Sequence, residues 1–498
     1  MLTRLPDAAA RLAALEREAA HQSALSAGDG RSWVRARDGV RPVVIVGAGQ
    51  AGLVLARGLR RRGIDDVVVI DAAPADATGP WTTYARMHTL RTPKDIAWPT
   101  WGTPAVSPRA WFEAVYGREA WETIEYFPTT AWQGFLQWYR EVSGLTVVPS
   151  TRVRSLVTAG ADAPIELFLD GPDGEWMLPA RHVVLATGIE GAGGRHIPSL
   201  LAGLPTDRVH HTHDDIDFTA LAGLRIGILG AGTGAFDNAA TALERGAASV
   251  DVHMRRAAMP QVSPYRWMEF AGLIENYGSF TDAQKWAFNV HLSAVDQPAT
   301  QNALWRAHAF DTFRFLTSSP WEHVEWTGDE IVVTTPHGIH RYDVVLAATG
   351  IVADLARRPE LAGVAADAVL WSDRLAPEAA AQKPGLAAFP YLDDDFGLVS
   401  RATPEASALS RIHMFNHGAR ISQGMLSHQI PGLVGGATKL AAALSRRLFV
   451  GDSDALLAEY LAYDVPVGVH IGRRPASAAS APAEHDAGPS AIGEALRT

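Results

Sequence analysis

The composition of the chain is that of a globular protein of ordinary polarity. Its 498 residues are 47% hydrophobic and 20% charged, and its formal net charge is −10. A chain of this length should fold into two or three domains, and its negative charge argues against a nucleic-acid partner. It contains no cysteine, which excludes disulfides, thiolate metal ligands and redox-active cysteine pairs, and no metal site is predicted.

The first twenty residues carry charges throughout, and no long uncharged apolar run follows them. We therefore expect neither a signal peptide nor a membrane partner, and we predict a cytoplasmic protein. Residues 1–40 are predicted to form an amphipathic helix, from Pro6 to about Leu25, and then a linker. The sequence leaves open whether the protein forms a homo-oligomer.

A glycine-rich turn follows the first apolar run of the chain. Val43–Val46 is typical of a buried parallel strand, and Gly47–Gly52 has the pattern G-x-G-x-x-G before a helix. In such a turn the first glycine permits the bend, the second lets a pyrophosphate approach, and the third lets the helix pack on the strand. The next strand, Val67–Ile70, ends at Asp71, which is placed to bind the hydroxyls of a ribose. These elements in this order predict a dinucleotide site.

The same arrangement recurs in the second half of the chain. The turn Gly230–Ala235 has the pattern G-x-G-x-x-A, and the strand after it, Val250–His253, is followed by Arg255 and Arg256 rather than by an acid. A carboxylate there would repel a 2′-phosphate, whereas two arginines bind it through charge-assisted hydrogen bonds. We therefore predict NADP(H) rather than NAD(H) at this turn. The alternative is that the arginines only cover the end of the strand.

These motifs together resemble the flavin-containing monooxygenase superfamily, which includes Baeyer–Villiger monooxygenases and amine N-hydroxylases. The resemblance lies in two dinucleotide turns about 180 residues apart, each followed later by Ala-Thr-Gly at a strand end, and it covers about residues 40–450. It implies an α/β fold with two Rossmann-like dinucleotide-binding domains, the NADPH domain being inserted in the FAD domain.

The resemblance also implies a division of the chain. The predicted parts are an N-terminal helical extension (1–40), the first part of the FAD-binding domain (41–190), the NADPH-binding domain with a helical, aromatic-rich insertion (191–344), the second part of the FAD-binding domain (345–450), and a C-terminal segment with a disordered tail (451–498).

The residues that would hold the cofactors follow from the turns and from the resemblance. Trp81 matches an aromatic residue beside the flavin, although it could instead only fill a loop, and Val153 matches a backbone contact to adenine. The residues predicted to bind FAD or NADPH are Gly47, Gly49, Gln50, Ala51, Gly52, Asp71, Ala72, Trp81, Val153, Thr187, Gly188, Gly230, Gly232, Thr233, Gly234, Ala235, Arg255, Arg256, Thr349 and Gly350.

Six further residues are predicted to act near the reacting atoms. Thr92 and Lys94 stand where the family often has an asparagine near the reactive edge of the flavin. His211 is the one residue retained from the family fingerprint F-x-G-x-x-x-H-x-x-x-W, and its alternative is a surface histidine. The others, in the loop between the last strand and the last helix, are Asn416, His417 and Arg420. This polar loop suits a polar small-molecule substrate, unless its side chains bind the flavin or face solvent.

The resemblance implies an enzyme in which NADPH reduces FAD and the reduced flavin reacts with O2. A flavin C4a-hydroperoxide would then oxygenate an amine or a sulfide, and N-hydroxylation is favoured. Two alternatives remain open. One is a Baeyer–Villiger monooxygenase, although the fingerprint of that group is largely missing; the other is an NADPH-dependent flavin oxidase or reductase.

The predicted preference for NADPH over NADH has a consequence for the kinetics of two variants. Arg255→Ala or Arg256→Ala should raise the KM for NADPH roughly ten- to hundredfold, because one charge-assisted contact of about 1.5–3 kcal/mol is lost. The KM for NADH should stay nearly unchanged, since NADH has no 2′-phosphate. Steady-state kinetics with both nucleotides measure this, and equal use of NADH and NADPH by the unmodified protein would contradict it.

Overall fold

The computed structural model describes residues 2–26, 32–402, 407–427, 429–467, 469 and 471–472. The strands, in chain order, are β1 (Arg41–Val46), β2 (Val67–Ile70), β3 (Thr89–Pro93), β4 (Tyr126–Pro128), β5 (Val147–Val148), β6 (Arg152–Thr158), β7 (Ile165–Gly171), β8 (Gly174–Leu185), β9 (Gly193–Arg195), β10 (Val209–His211), β11 (Arg225–Leu229), β12 (Ser249–His253), β13 (Phe313–Leu316), β14 (His323–Trp326), β15 (Ile331–Thr335), β16 (Gly338–Tyr342), β17 (Val344–Ala347), β18 (Ile351–Ala353) and β19 (Ile412–Met414).

The helices alternate with these strands, as expected of an α/β protein. In chain order they are α1 (Ala8–Ser26), α2 (Gln50–Arg60), α3 (Pro108–Tyr116), α4 (Arg118–Thr123), α5 (Thr129–Val142), α6 (Thr233–Glu244), α7 (Pro264–Met268), α8 (Ala271–Asn276), α9 (Asp282–Val295), α10 (Gln301–His308), α11 (Pro377–Gln382), α12 (Pro384–Ala387), α13 (Arg420–Gln423), α14 (Leu433–Gly451) and α15 (Ser453–Leu461).

The chain divides by its contacts into two units, Met1–Gly451 and Asp452–Thr498. The second unit contains α15, and the tail predicted to be disordered from about residue 474 lies outside the described residues. Within the first unit, α1 carries two buried alanines and packs on α3, so the predicted N-terminal helix is docked on the protein. None of the helices in the described part of the chain combines the length and apolar character needed to cross a membrane.

The first sheet is built around β1. Its strand order is β5-β2-β1-β8-β7-β6, and β19 pairs with the C-terminal half of β8. The strands β5, β2, β1, β8 and β19 are parallel to one another, whereas β6, β7 and β8 pair in antiparallel fashion. Val43, Val44 and Ile45 are fully buried, as the continuous apolar run of β1 predicts for a parallel strand covered on both faces.

The second sheet has the order β10-β17-β11-β12-β13, and all its pairs are parallel. Its strands come after β8 and before β19 in the chain, so the second parallel sheet is inserted within the first. This confirms the predicted fold class of an α/β protein with one dinucleotide-binding fold inserted in another.

The chain enters and leaves the second sheet through a short antiparallel ribbon. β9 pairs with β18, and Gly193 faces Ala353. The preceding strand, β17, lies in the middle of the second sheet, between β10 and β11. Residues 345–347 therefore belong to the second sheet, and not to the FAD-binding part that the sequence prediction assigned to 345–450, because β17 must complete the parallel sheet before the chain returns.

The helices α7 to α10 form the predicted aromatic-rich insertion, and α8 and α9 contact the loop before α14, whereas α10 packs on α6. The hydroxyl of Tyr277 donates to the carbonyl of Ile421 at 3.1 Å and accepts from the amide of Asn289 at 2.8 Å. Trp286 stacks near Trp371, with ring centroids 6.4 Å apart, in a small apolar cluster. Tyr277 and Trp286, which are both buried, thus pack the insertion against this loop.

Two buried histidines join the adjacent strands β8 and β19. His182 Nδ1 lies 3.2 Å from His413 Nε2, and His413 Nδ1 donates to the carbonyl of Asp395 at 2.7 Å. Burial lowers the pKa of His413 to about 4, with Arg447 adding to the effect, and burial likewise holds the pKa of His182 well below its usual value. Both rings are therefore neutral in the folded protein.

This pair predicts how stability depends on pH. Below about pH 6.5 the unfolded chain protonates these histidines and the folded protein does not, so stability falls as pH falls toward 4, by about 1.4 kcal/mol per pH unit for each histidine. In urea unfolding between pH 7.5 and 5, the double variant His182→Gln, His413→Gln should lose less stability than the unmodified protein. The exposed His88→Gln is the control and should keep the original slope. An equal slope for the double variant would contradict the interpretation.

Candidate functional site

The first glycine turn is held by a close contact with the end of β8. Gly47 has φ of +111°, and a Cβ there would lie 2.4 Å from the carbonyl oxygen of Ala186. A Cβ on Gly52 would lie 1.9 Å from the Gly47 oxygen, so neither position accepts a side chain. Gly49 differs, because a Cβ there would meet nothing within 4 Å. It faces open space at the start of α2, where a phosphate can reach the unpaired N–H groups of the helix.

That space belongs to a cavity of 690 Å³. The predicted cofactor residues that line it are Gly47, Gly49, Gln50, Ala51, Asp71, Ala72, Trp81, Val153, Thr187, Gly188 and Gly234. The cavity thus extends from the first glycine turn to the N-terminus of α6 at the second turn. Of the residues predicted at the second turn, Gly234 lines the cavity, whereas Gly230 and Gly232 do not.

Asp71 lies at the end of β2 with its carboxylate in the cavity wall. Its Oδ2 accepts the backbone N–H of Ala48 at 2.6 Å, and its Oδ1 accepts that of Ala73 at 2.8 Å. Burial raises the pKa of Asp71, against the effect of these two bonds. Each oxygen keeps a lone pair for a further donor, and the predicted contact of Asp71 with ribose hydroxyls stays a prediction.

Trp81 provides an independent indication of a bound group. Its indole N–H is buried and has no acceptor among the described residues, although the side chain lines the cavity. The ring stands edge-on to Trp132, with centroids 6.4 Å apart. An unpaired buried donor beside an open cavity fits a cofactor that supplies the acceptor. Together with Gly49 and Asp71, this arrangement fits FAD.

The second turn repeats the contact seen at the first. Gly230 has φ of +107°, and a Cβ there would lie 2.5 Å from the carbonyl oxygen of Ala348, while Gly232 faces open space. The two Ala-Thr-Gly motifs therefore serve the same purpose, because the alanine carbonyl of each contacts the first glycine of a turn. Thr349 and Gly350 are engaged within the protein: the Thr349 hydroxyl donates to the carbonyl of His196, and the Gly350 carbonyl accepts from His211.

Arg255 and Arg256 follow β12, as predicted. Arg255 is exposed, and Arg256 is partly buried and lies 3.7 Å from the carboxylate of Asp296. Neither residue lines the cavity. Of the remaining residues of the second turn, Thr233 begins α6 and Ala235 donates its N–H to the Gly232 carbonyl at 2.9 Å. Their roles in NADPH binding stay predictions.

Two residues predicted to be catalytic lie away from the cavity. Lys94 donates to the carbonyl of Trp121 at 2.6 Å, and its ammonium lies 5.3 Å from the centre of the Trp121 ring. Thr92 is a partly buried residue of β3, and neither side chain lines the cavity. The structure therefore gives Lys94 a role in packing β3 on α4, because its charge is already satisfied there.

The histidines at the end of β10 differ in their surroundings: His211 is bonded within the protein, and His213 lines the cavity. His211 is fully buried; its Nε2 donates to the Gly350 carbonyl at 2.9 Å, and burial lowers its pKa to about 4. Instead, His213 lines the cavity, with its Nδ1 3.1 Å from Glu190 and its ring stacked on Tyr84 at 4.8 Å. The predicted residue thus ties β10 to the end of β17, and its neighbour faces the site.

Asp237 of α6 links three parts of the protein at the wall of the cavity. Its carboxylate accepts from Arg91 at 2.9 Å, and Arg306 Nη1 lies 3.4 Å away. Arg306 also donates to the carbonyl of Arg86 at 3.2 Å and pairs with both oxygens of Glu244. These bonds hold α10 and the second turn against the segment that leads into β3.

Several cavity residues were not predicted from the sequence. They are Tyr84, Arg86, Met87, Arg91, Thr212, His213, Asp237, Asn238, Arg358 and Glu360. Thr212 and His213 directly follow β10, and the rule that ligands bind at the carboxyl ends of parallel strands could have found them. The segments around residues 84–91 and 358–360 carry no motif that marks them.

The loop before α14 is built on Asn416. The Asn416 amide donates to the Leu185 carbonyl at 3.0 Å and to the Thr187 hydroxyl at 3.1 Å, which fixes the loop to the end of β8. Beyond it, the rings of His417 and Phe389 meet edge to face at 5.4 Å. The guanidinium of Arg420 lies over the same Phe389 ring at 5.8 Å. These bonds give Asn416 a structural role, and the predicted catalytic roles of Asn416, His417 and Arg420 stay predictions.

Comparison with known proteins agrees with this geometry. Residues 41–369 match the family model described as pyridine nucleotide-disulphide oxidoreductase. The chain is 40% identical over 463 residues to the FAD-dependent urate hydroxylase of Xanthomonas campestris pv. campestris, with 91% of this chain and 96% of that protein covered.

Solved structures share the fold. The ornithine hydroxylase from Pseudomonas aeruginosa has a TM-score of 0.64 at 17% identity, covering 82% of this chain and 100% of that chain. The L-lysine 6-monooxygenase from Pseudomonas syringae has a TM-score of 0.61 at 18% identity, covering 82% and 99%. The chain belongs to the pyridine nucleotide-disulphide oxidoreductase family, and within it to the flavin-dependent monooxygenases, which use FAD, NADP(H) and O2.

Proposed function

We propose that this monooxygenase hydroxylates urate or a closely related anionic purine. The observation that carries the proposal is the 40% identity, over almost the whole of both chains, to a protein named FAD-dependent urate hydroxylase. Identity at this level across both dinucleotide folds and the loops between them supports a shared substrate class more strongly than similarity of fold does.

The loop before α14 supports an anionic, planar substrate. Arg420 is partly buried, and it forms no ion pair with any carboxylate in the described part of the chain. Its guanidinium lies over the ring of Phe389, and that ring meets the ring of His417 edge to face. An unpaired guanidinium can bind a delocalised anion in its own plane, and neighbouring aromatic rings favour a flat molecule.

In this proposal, residues of the chain bind FAD and keep water away from the reacting atoms. Bound FAD supplies the redox chemistry and the activation of oxygen. Gly49 and Asp71, which line the cavity, would hold its diphosphate and ribose, and the bond from Tyr277 to Ile421 ties the helical insertion to the loop. Exclusion of water from this region favours transfer of oxygen to the substrate over release of peroxide. The flavin C4a-hydroperoxide stays a prediction.

The N-hydroxylation of an amine is the second candidate. It was favoured by the sequence motifs, and enzymes that act on ornithine and lysine share the fold. At 17% and 18% identity this likeness concerns the fold alone. We therefore propose urate as the first candidate substrate, and we include amines in the experiment as the second.

The proposal predicts which substrate couples NADPH oxidation to oxygenation. The purified protein with bound FAD should consume NADPH and O2 faster with urate than without it, and urate should disappear in proportion to NADPH. Ornithine, lysine and cadaverine should leave the rate at its background and yield no hydroxylamine. Consumption of an amine with formation of its hydroxylamine, and none of urate, would contradict the proposal.

The predicted role of Arg420 has a matched control in the same aromatic region. Arg420→Gln should raise the KM for urate roughly ten- to hundredfold, because a contact to a charged ligand is worth about 1.5–3 kcal/mol. Anaerobic reduction of the flavin by NADPH should stay within a few-fold of normal. Arg374 also lies over an aromatic ring, that of Tyr391 at 4.9 Å, but it is ion-paired with Asp282. Arg374→Gln should therefore leave the KM for urate unchanged. Loss of bound FAD in Arg420→Gln would instead make Arg420 a cofactor or structural residue.

A further inference from the structure

A short segment after β18 closes one end of the cavity. Arg358, Pro359 and Glu360 line it together with Thr151, Arg152 and Val153 at the start of β6. The 3-10 turn Pro359–Leu361 packs directly on β6. Val153 is the predicted backbone contact to adenine, and Ala72 and Ala73, which follow the ribose-binding Asp71, line the same cavity. Residues 358–360 thus lie at the adenosine end of the site.

Glu360 is a buried carboxylate whose position is fixed. Its side chain is only 4% exposed. Its Oε1 accepts two hydrogen bonds from Arg358, from Nε at 2.9 Å and from Nη2 at 2.6 Å. No described residue donates to its Oε2, and the side chain borders the cavity. A carboxylate held in this way has one oxygen left to accept a hydrogen bond from a ligand in the cavity.

The ligand atom that this oxygen would meet follows from the chemistry of an adenosine diphosphate. The diphosphate is negatively charged and would repel the Glu360 carboxylate. The ribose hydroxyls are assigned to Asp71. The 6-amino group of adenine remains, and it offers two N–H donors. β6 has a register irregularity between Val153 and Ser155, which takes backbone groups out of the ladder at this point. A backbone carbonyl of β6 can therefore accept one N–H of the amino group, and the Glu360 carboxylate can accept the other.

We propose that Glu360, positioned by Arg358, accepts a hydrogen bond from the 6-amino group of the FAD adenine and selects adenine over a 6-oxopurine. In a 6-oxopurine the amino group is replaced by a carbonyl, whose lone pairs would face the carboxylate. A site built to accept a hydrogen bond rejects an analogue that lacks the donor, because the buried acceptor is then left unpaired. This inference does not depend on which substrate is hydroxylated.

The test uses the holoenzyme and a flavin dinucleotide that contains hypoxanthine in place of adenine. The protein is equilibrated with mixtures of FAD and this analogue, and the bound flavins are released and quantified by chromatography. The unmodified protein should prefer FAD by roughly ten- to hundredfold. A preference within about twofold would overturn the proposal, with no need for any variant.

Two variants separate recognition from a purely structural role. Glu360→Gln should reduce the preference to about twofold or less, because an amide can accept from the 6-amino group or donate to the 6-oxo group by turning over. Asp237→Asn is the matched control: Asp237 is also a buried carboxylate that pairs with arginines and lines the same cavity, at its other end. It should keep the full preference for FAD. If Glu360→Gln binds flavin and also keeps that preference, Glu360 serves only to hold Arg358, and the proposal is wrong.

Discussion

The whole arrangement depends on how closely the first residue of each glycine turn approaches the end of a neighbouring strand. Gly47 lies against the Ala186 carbonyl and Gly230 against the Ala348 carbonyl, in both cases with a positive φ that only glycine adopts at low cost. Because this contact fixes the direction in which the chain leaves the strand, it also fixes where the next helix begins. The N-termini of α2 and α6 are thereby set at one cavity. A side chain at either glycine would displace a strand end and a helix end together.

A second set of contacts holds the inserted sheet in place against the first sheet. The chain crosses between them at the ribbon of β9 and β18, and His211 binds the Gly350 carbonyl next to this ribbon. On the far side of the cavity, Asp237 and Arg306 join α6 and α10 to the segment that precedes β3. Residues far apart in sequence thus hold the two glycine turns in a fixed relation to each other.

The sequence could predict the features that depend on a few consecutive residues. The two turns, Asp71 and the strand ends at Thr187 and Thr349 are short patterns with a direct physical meaning, and the insertion of one fold in the other followed from their order. The histidine facing the cavity was missed by two positions, because β10 ends at His211 and turns that ring inward. The partner of Lys94 comes from α4, and the place of Glu360 depends on a turn that packs on a strand 200 residues earlier. Such pairings depend on the tertiary structure, and no spacing in the sequence reveals them.

Transfer of an oxygen atom from O2 to the substrate is the event to which the glycine turns, the shared cavity and the covered loop all contribute. Its most direct test is a single turnover with labelled oxygen. The enzyme is reduced anaerobically by one equivalent of NADPH and then mixed with ¹⁸O2 and urate. We expect the product to gain one ¹⁸O atom per flavin, and to gain none when the label is supplied as water instead. Unlabelled urate together with one equivalent of labelled hydrogen peroxide would contradict the assignment.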